Sequence, residues 1–189
     1  IFLSIQCAIS GSSGFRCVAR IFTIIGDCIG HLPHPAFSTI RDWVIRFGLY
    51  MLERPKPQGE WIYIMDASIQ MGSMKCLLIL GVQRNVFEQK NNYILSHSDL
   101  EPLVLETVKS CTGEVVHQAL LKAKKKTGKP FAVLSDQGAD LKKGIRLFYE
   151  GHQQTLHLCD IVHKLDLVFK RELESDKEWA GLKKQITES

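Results

Sequence analysis

The sequence predicts an α/β protein whose mixed sheet begins as a β-meander, continues into βαβ units, and comes after a small helical module. Three observations carry that class. Residues 14–51 place apolar side chains at helical spacing. Glu53-Arg-Pro-Lys-Pro-Gln-Gly-Glu60 then sets two prolines and a glycine among charges, which no helix continues through. Beyond that break, short apolar runs of strand type alternate with amphipathic stretches, the pattern of a layered α/β domain.

In the first part, Phe15, Val18, Ala19, Phe22 and Ile25 recur at helical spacing after Ser12-Ser13, which can cap. Gly30-His-Leu-Pro-His-Pro35 is a breaker-rich turn. Pro35 suits the first turn of a second helix, whose stripe is Ile40, Trp43, Val44 and Phe47, with Gly48 weakening its end. Residues 1–52 are thus expected as a helical module and 53–60 as an exposed linker. Past it, Trp61–Gln70 and Lys75–Gln83 read as strands joined at Met71-Gly-Ser-Met74. Tyr93-Ile-Leu is a candidate third strand and Leu103-Val-Leu a further extended piece. A helix is expected over 113–126, with Val116, Ala119, Leu120 and Ala123 on one face. Strand 131–135, helix 139–150, strand 155–159 and helix 161–174 complete the reading.

Composition sets wide bounds. The chain has 189 residues, 45% hydrophobic and 23% charged, enough for one good core and a small appended module. A net charge of +4 and a pI near 8.7 are compatible with nucleic acid without requiring it. Six scattered cysteines without a CxxC pair read as buried reduced thiols of an intracellular protein, not a disulfide framework. The opening Ile1–Ser10 lacks the basic start of a signal peptide, and Ser10-Gly-Ser-Ser-Gly14 interrupts it short of the roughly 20 apolar residues of a membrane span. The missing initiator methionine and a helical pattern still running at Leu182–Ser189 make a fragment the expectation.

Two apolar runs carry the chemistry. Trp61-Ile-Tyr-Ile-Met-Asp66 and Phe131-Ala-Val-Leu-Ser-Asp136 each end in an aspartate, about seventy residues apart. A carboxylate closing a buried strand is costly unless a charge or a donor meets it. On neighbouring strands, the two would share a sheet edge and suit a divalent metal. Taken alone, Asp136 before Gln137-Gly138 is equally a cap for the next helix. A flavodoxin-like strand order would separate the two acids and give a different cleft.

Other groups have plainer readings beside sharper ones. Asp160 and His163, three apart where a strand enters a helix, are expected to brace that corner. His157, Cys159 and His163 resemble zinc ligands, but no fourth has typical spacing. Lys122, Lys124, Lys125, Lys126 and Lys129 end a helix and default to a solvated face. Lys164, Lys170 and Arg171 would flank the acidic strand ends and neutralise phosphates. Ser38, Thr39, Arg41, Asp42 and Arg46 lie opposite the second helix's stripe, where a recognition helix exposes its contacts; a plain helical hairpin has the same pattern.

As an ordered set, these segments resemble bacterial insertion-sequence transposases. Pro35–Tyr50 resembles their leading helix-turn-helix, and Glu60–Gly72 their first catalytic strand. Lys75–Gly81, Gly113–Val116, Leu134–Gly144 and Asp160–Lys164 fit in order, so the similarity spans about residues 12–180. The resemblance implies a DDE-type transposase with an RNase H-like catalytic domain over 61–189. It assigns Asp66 and Asp136 as metal-holding acids, and Asp160 with His163 as the supporting (C/D)xxH pair of Mutator-like relatives. Ala67-Ser68 replaces the His-Thr that often comes after the first acid.

The third acid of such enzymes is a glutamate on a later helix. Glu172 is the in-chain candidate, with Glu174 a poorer one, and a glutamate beyond Ser189 is favoured over both. The activity so implied is metal-dependent DNA cleavage and strand transfer with two Mg²⁺ ions, Mn²⁺ substituting. The expected partners are element terminal repeats, target DNA and further copies of the chain; the expected setting is the bacterial cytoplasm, without membrane. The alternatives are a non-catalytic DNA-binding protein whose α/β domain dimerises or binds a ligand, and an RNase H-like nuclease acting on RNA.

Overall fold

The computed structural model describes residues 1–30, 34–136, 138–150 and 155–173, with the side chains of all of these but 68–71, 162, 163, 166, 167 and 170. The chain divides into two compact units, Ile1–Arg54 and Pro55–Ser189.

The first unit holds α1 (Phe2–Ile9), α2 (Phe15–Ile29) and α3 (Phe37–Glu53). Val18, Phe22 and Ile40 form its core, with Cys7, Ala8, Phe15, Ala19 and Trp43 packed around them. Periodicity does not reveal α1. Its eight residues are apolar nearly all round and no side chain caps it, so it offers neither stripe nor start signal. The helix α3 runs through Gly48, and its N-cap is Ala36, leaving Pro35 just outside.

The second unit is built on a five-stranded sheet of β1 (Trp61–Met71), β2 (Met74–Gln83), β3 (Glu101–Val108), β4 (Pro130–Ser135) and β5 (Leu156–Cys159). The spatial order is β3-β2-β1-β4-β5. The strand β2 runs antiparallel to β1 and β3, while β1, β4 and β5 are mutually parallel. This is the RNase H-like order. The β1–β2 hairpin turns at Gly72, whose φ of +63° at the first loop position is one that L-residues rarely adopt.

Helices α5 (Gly113–Thr127) and α6 (Ala139–Glu150) cover one face of the sheet. Trp61, Tyr63, Met65, Leu77, Ile79 and Val133 meet Val116, Ala119, Leu120, Ile145 and Phe148 there, all at 3% exposure or less. Thr112 caps α5 by accepting from the Val115 amide at 3.4 Å. Gly128 ends it with a positive φ of +88°. Among the described residues the second unit also holds the short α-helix α4 (Arg84–Glu88), the α-helix α7 (Ile161–Leu173) and two 3-10 turns, Asn91–Tyr93 and His97–Asp99.

Three expectations are corrected. Tyr93-Ile-Leu is not a strand: Asn92 and Tyr93 take φ of +59° and +56°, and Tyr93 packs its ring on Phe87. The 53–60 segment is mostly exposed but not slack, because the Lys56 ammonium is buried and 2.7 Å from Glu101 on β3. Of the cysteines only Cys76 and Cys111 are buried; Cys17, Cys28 and Cys159 are exposed.

Candidate functional site

The site arises from two parallel ladders. Between β1 and β4 the last registered pair is Met65 with Ser135, so Asp66 and Asp136 are the next residue on each strand. Adjacent strands lie about 4.8 Å apart, which brings the two aspartates side by side at one sheet end. Between β4 and β5 the last pair is Ser135 with Cys159, which sets Asp160 beside Asp136 in turn. Three acids therefore occupy one level, Asp66 within β1 and Asp136 and Asp160 just past the carboxyl ends of β4 and β5. The flavodoxin-like alternative is excluded by this order, since the first and fourth strands are neighbours.

Local structure explains how each acid is held. Asp66 pairs across to Leu78, and directly after it the register slips, with Ala67 and Ser68 opposing Leu77. An extra residue of this kind is a β-bulge, which bends the strand and re-aims what precedes it. Ala67 packs against the core, so alternation turns Asp66 to the other face of the sheet, where it is half-buried. Asp136 lies just past β4, and its Oδ1 accepts from the Gly138 amide at 2.9 Å. The Gly138 carbonyl then accepts the first helical bond, from Lys142. Gly138 thus takes the N-cap position of α6, and Asp136, read from the sequence as a possible cap, instead closes the turn before the helix. The Asp160 amide donates to the Ser135 carbonyl at 2.9 Å, locking the start of α7 to the end of β4.

Two residues at this end, Ser135 and Cys111, escape sequence reasoning, and a third, His157, has a different role from the zinc ligand its spacing suggests. Ser135 is buried, donates its hydroxyl to the Asp136 carbonyl at 2.9 Å, and meets His157 Nε2 at 3.1 Å. Burial, aided by Lys142, holds the His157 pKa below its ordinary value. Cys111 is close enough to feel Asp136. Burial first, then Asp140 and Asp136, push its thiol pKa up against the opposing pull of Lys75. No sequence signal marks Ser135 or Cys111, and the zinc-like spacing that drew attention to His157 does not foretell its contact with Ser135, which depends on the pairing of β4 with β5.

The other predicted residues fall elsewhere. Glu172 is exposed in the last turn of α7, and Lys164 and Arg171 are exposed on the same helix. The side chains of His163 and Lys170, and all of Glu174, lie outside the described residues, so the Asp160–His163 brace does too. His157 engages Ser135, and among the described residues no group of three or more His, Cys, Asp or Glu gathers to hold a metal. In the helical unit, Ser38 and Thr39 are half-buried in the first turn of α3, with Arg41 and Arg46 exposed. Arg41 pairs with the adjacent Asp42 at 2.9 Å. Of the lysine cluster, Lys122 reaches Glu106 at 2.6 Å and Lys126 the Leu103 carbonyl at 3.0 Å, so both serve the fold. No described helix is long and apolar enough to cross a membrane.

No family model and no curated protein matches this chain. Among solved structures, the HTLV-2 integrase catalytic core domain in complex with magnesium, in its dimeric form, is 18% identical, with a TM-score of 0.35 over 64% of this chain and 73% of that one. Its trimeric form gives the same figures. A simian T-cell lymphotropic virus intasome bound to a PP2A regulatory subunit is 14% identical, with a TM-score of 0.36 over 75% of this chain and 50% of that one.

Proposed function

We propose that the chain is part of a DDE-type DNA transposase or integrase-like nucleotidyltransferase. The observation that carries this reading is the register that sets Asp66 and Asp136 one residue beyond the Met65–Ser135 pair on adjacent parallel strands. Two carboxylates at strand spacing offer hard oxygen donors, the chemistry Mg²⁺ and Mn²⁺ prefer, so the donor set fits a divalent ion. Such ions, when bound, supply Lewis-acid stabilisation to the leaving oxygen of a phosphodiester and favour an ionised attacking hydroxyl. The protein's part is to fix the carboxylates. The bulge after Asp66 and the Gly138 amide at Asp136 each restrict one side chain before any ligand arrives.

The third carboxylate in this reading is a glutamate later than Asp160, and Glu172 is the in-chain choice. Ser38, Thr39, Arg41 and Arg46 are assigned to element ends, and Lys164, Lys170 and Arg171 to phosphates near the acids. Two Mg²⁺ ions and DNA-dependent oligomers belong to the same reading.

The test is thermal unfolding with Mg²⁺ or Mn²⁺. At ten times Kd, one bound ion adds about 1.4 kcal/mol, a rise of roughly 4–6 °C in Tm. The rise is expected to vanish in Asp66→Asn and in Asp136→Asn, and to shrink in Glu172→Gln only if that glutamate is the third ligand. A rise that survives both aspartate changes, or no rise at all, overturns the assignment.

A further inference from the structure

The Asp136 backbone leaves the sheet at the point where its carboxylate is needed. The β1–β4 ladder stops at Ser135, so the next peptide loses the support of strand pairing. What replaces it is a side-chain relay. Ser135, 2% exposed, has one hydroxyl proton, and that proton is donated to the Asp136 carbonyl at 2.9 Å. The contact of 3.1 Å between Ser135 Oγ and His157 Nε2 must then run the other way, with the ring donating. That arrangement asks for a proton on Nε2 of the ring. The Tyr149 ring flanks the imidazole at 6.4 Å between centroids. On the far side of the same turn, the Gly138 amide holds Asp136 Oδ1.

We propose that Ser135 and His157 are positioning residues for Asp136. The ring of His157 on β5 orients the Ser135 hydroxyl, which clamps the Asp136 carbonyl, and the turn so held presents the carboxylate beside Asp66. This deepens the metal reading of Asp136 and rests on it. A donor is all that the relay asks of position 157, and imidazolium keeps its Nε2 proton, so the clamp persists whether or not the ring is charged. A glutamine amide can donate in the same sense, whereas leucine fills the space without donating. The same logic separates Ser135→Thr, which keeps the hydroxyl, from Ser135→Ala, which removes it.

The experiment is Mn²⁺ titration by calorimetry on the whole chain, with Tm measured in parallel without metal. Loss of an outer hydrogen bond to a ligating group weakens metal binding roughly 10–100-fold. Ser135→Ala and His157→Leu are expected to weaken Mn²⁺ by that factor, with His157→Gln and Ser135→Thr restoring most of it. A lowered Tm with unchanged Mn²⁺ affinity in Ser135→Ala means a plain brace for β5 and overturns the proposal. If the wild-type chain takes up no Mn²⁺, or Asp136→Asn binds it equally well, the metal reading fails first. The positioning claim is then decided by hydrogen exchange at the Gly138 amide. Ser135→Ala must accelerate that amide more than those of β5; equal or no acceleration overturns it.

Discussion

The two faces of the sheet share the same five strands but solve different problems. On the helix-covered face, Trp61, Tyr63 and Met65 from β1 are at most 3% exposed. On the other face the intervening Ile62, Ile64 and Asp66 are half-buried, and further across it Leu105, Leu156 and Leu158 are 52%, 52% and 46% exposed. Strand alternation makes this division, since each step along β1 changes sides. The difference explains how an acid fits in an apolar run. Asp66 occupies the face where water and ligands reach, so its desolvation is partial; one residue earlier or later it would enter the dry layer under α5 and α6.

The comparison is tested hardest at Phe148, which is fully buried at the centre of the helix-covered layer. Phe148→Ala removes a ring from a site with no slack, because Gly144 on the same helix is already so close to Val116 that a β-carbon would overlap it. The expected loss is about 3–5 kcal/mol, read from the denaturant midpoint at constant m. A loss under about 1 kcal/mol would mean that this layer is as loose as the opposite face.

Much of this division is legible in the sequence, and the limits of that legibility have physical causes. The hairpin can be read because Gly72 marks a turn that needs positive φ, and α5 because Val116, Ala119, Leu120 and Ala123 recur on one helical face. Both signals are local. Tyr93 misleads because three strand-prone residues resemble a strand until the neighbouring Asn91-Asn92 turn intervenes. The α1 helix carries no stripe to read. At the candidate site, the aspartates are visible as breaks in apolar runs, but their adjacency is a pairing between segments about seventy residues apart. The Ser135–His157 contact is invisible for the same reason, and Ser135 looks like an ordinary strand-end residue.

A smaller effect sharpens the rule that the helix-covered face tolerates polar atoms only when satisfied. The Tyr63 hydroxyl is within 2.5 Å of Thr127 Oγ1 and donates to the Gly128 carbonyl at 3.1 Å. Tyr63→Phe is expected to cost about 1 kcal/mol. Burial, opposed by the Thr127 hydrogen bond, raises the Tyr63 pKa from 10.0 to about 12. The folded state therefore keeps this proton where the unfolded chain has lost it. The stability associated with Tyr63 is complete below pH 10 and declines as pH rises toward 12. Unfolding measured across that window should show a fall in wild type that is shallower in Tyr63→Phe. Equal slopes would show that the hydroxyl is not shielded from water.

The smallest effect expected is at Leu158 on the opposite face, and it is the one most able to redraw the comparison. Leu158 registers with Leu134 on β4, yet is 46% exposed. Truncating a fully buried leucine costs about 2–5 kcal/mol, of which a large part is the cavity left behind. At a half-exposed site, water fills the space and only part of the transfer energy is lost, so Leu158→Ala is expected to cost less than about 1 kcal/mol. That value should not change with protein concentration. If the cost instead reaches the buried range and grows as the protein is concentrated, a second copy covers this face in solution. Asp66 would then share its side of the sheet with an interface, and the half-burial that makes room for a metal there would no longer describe the working protein.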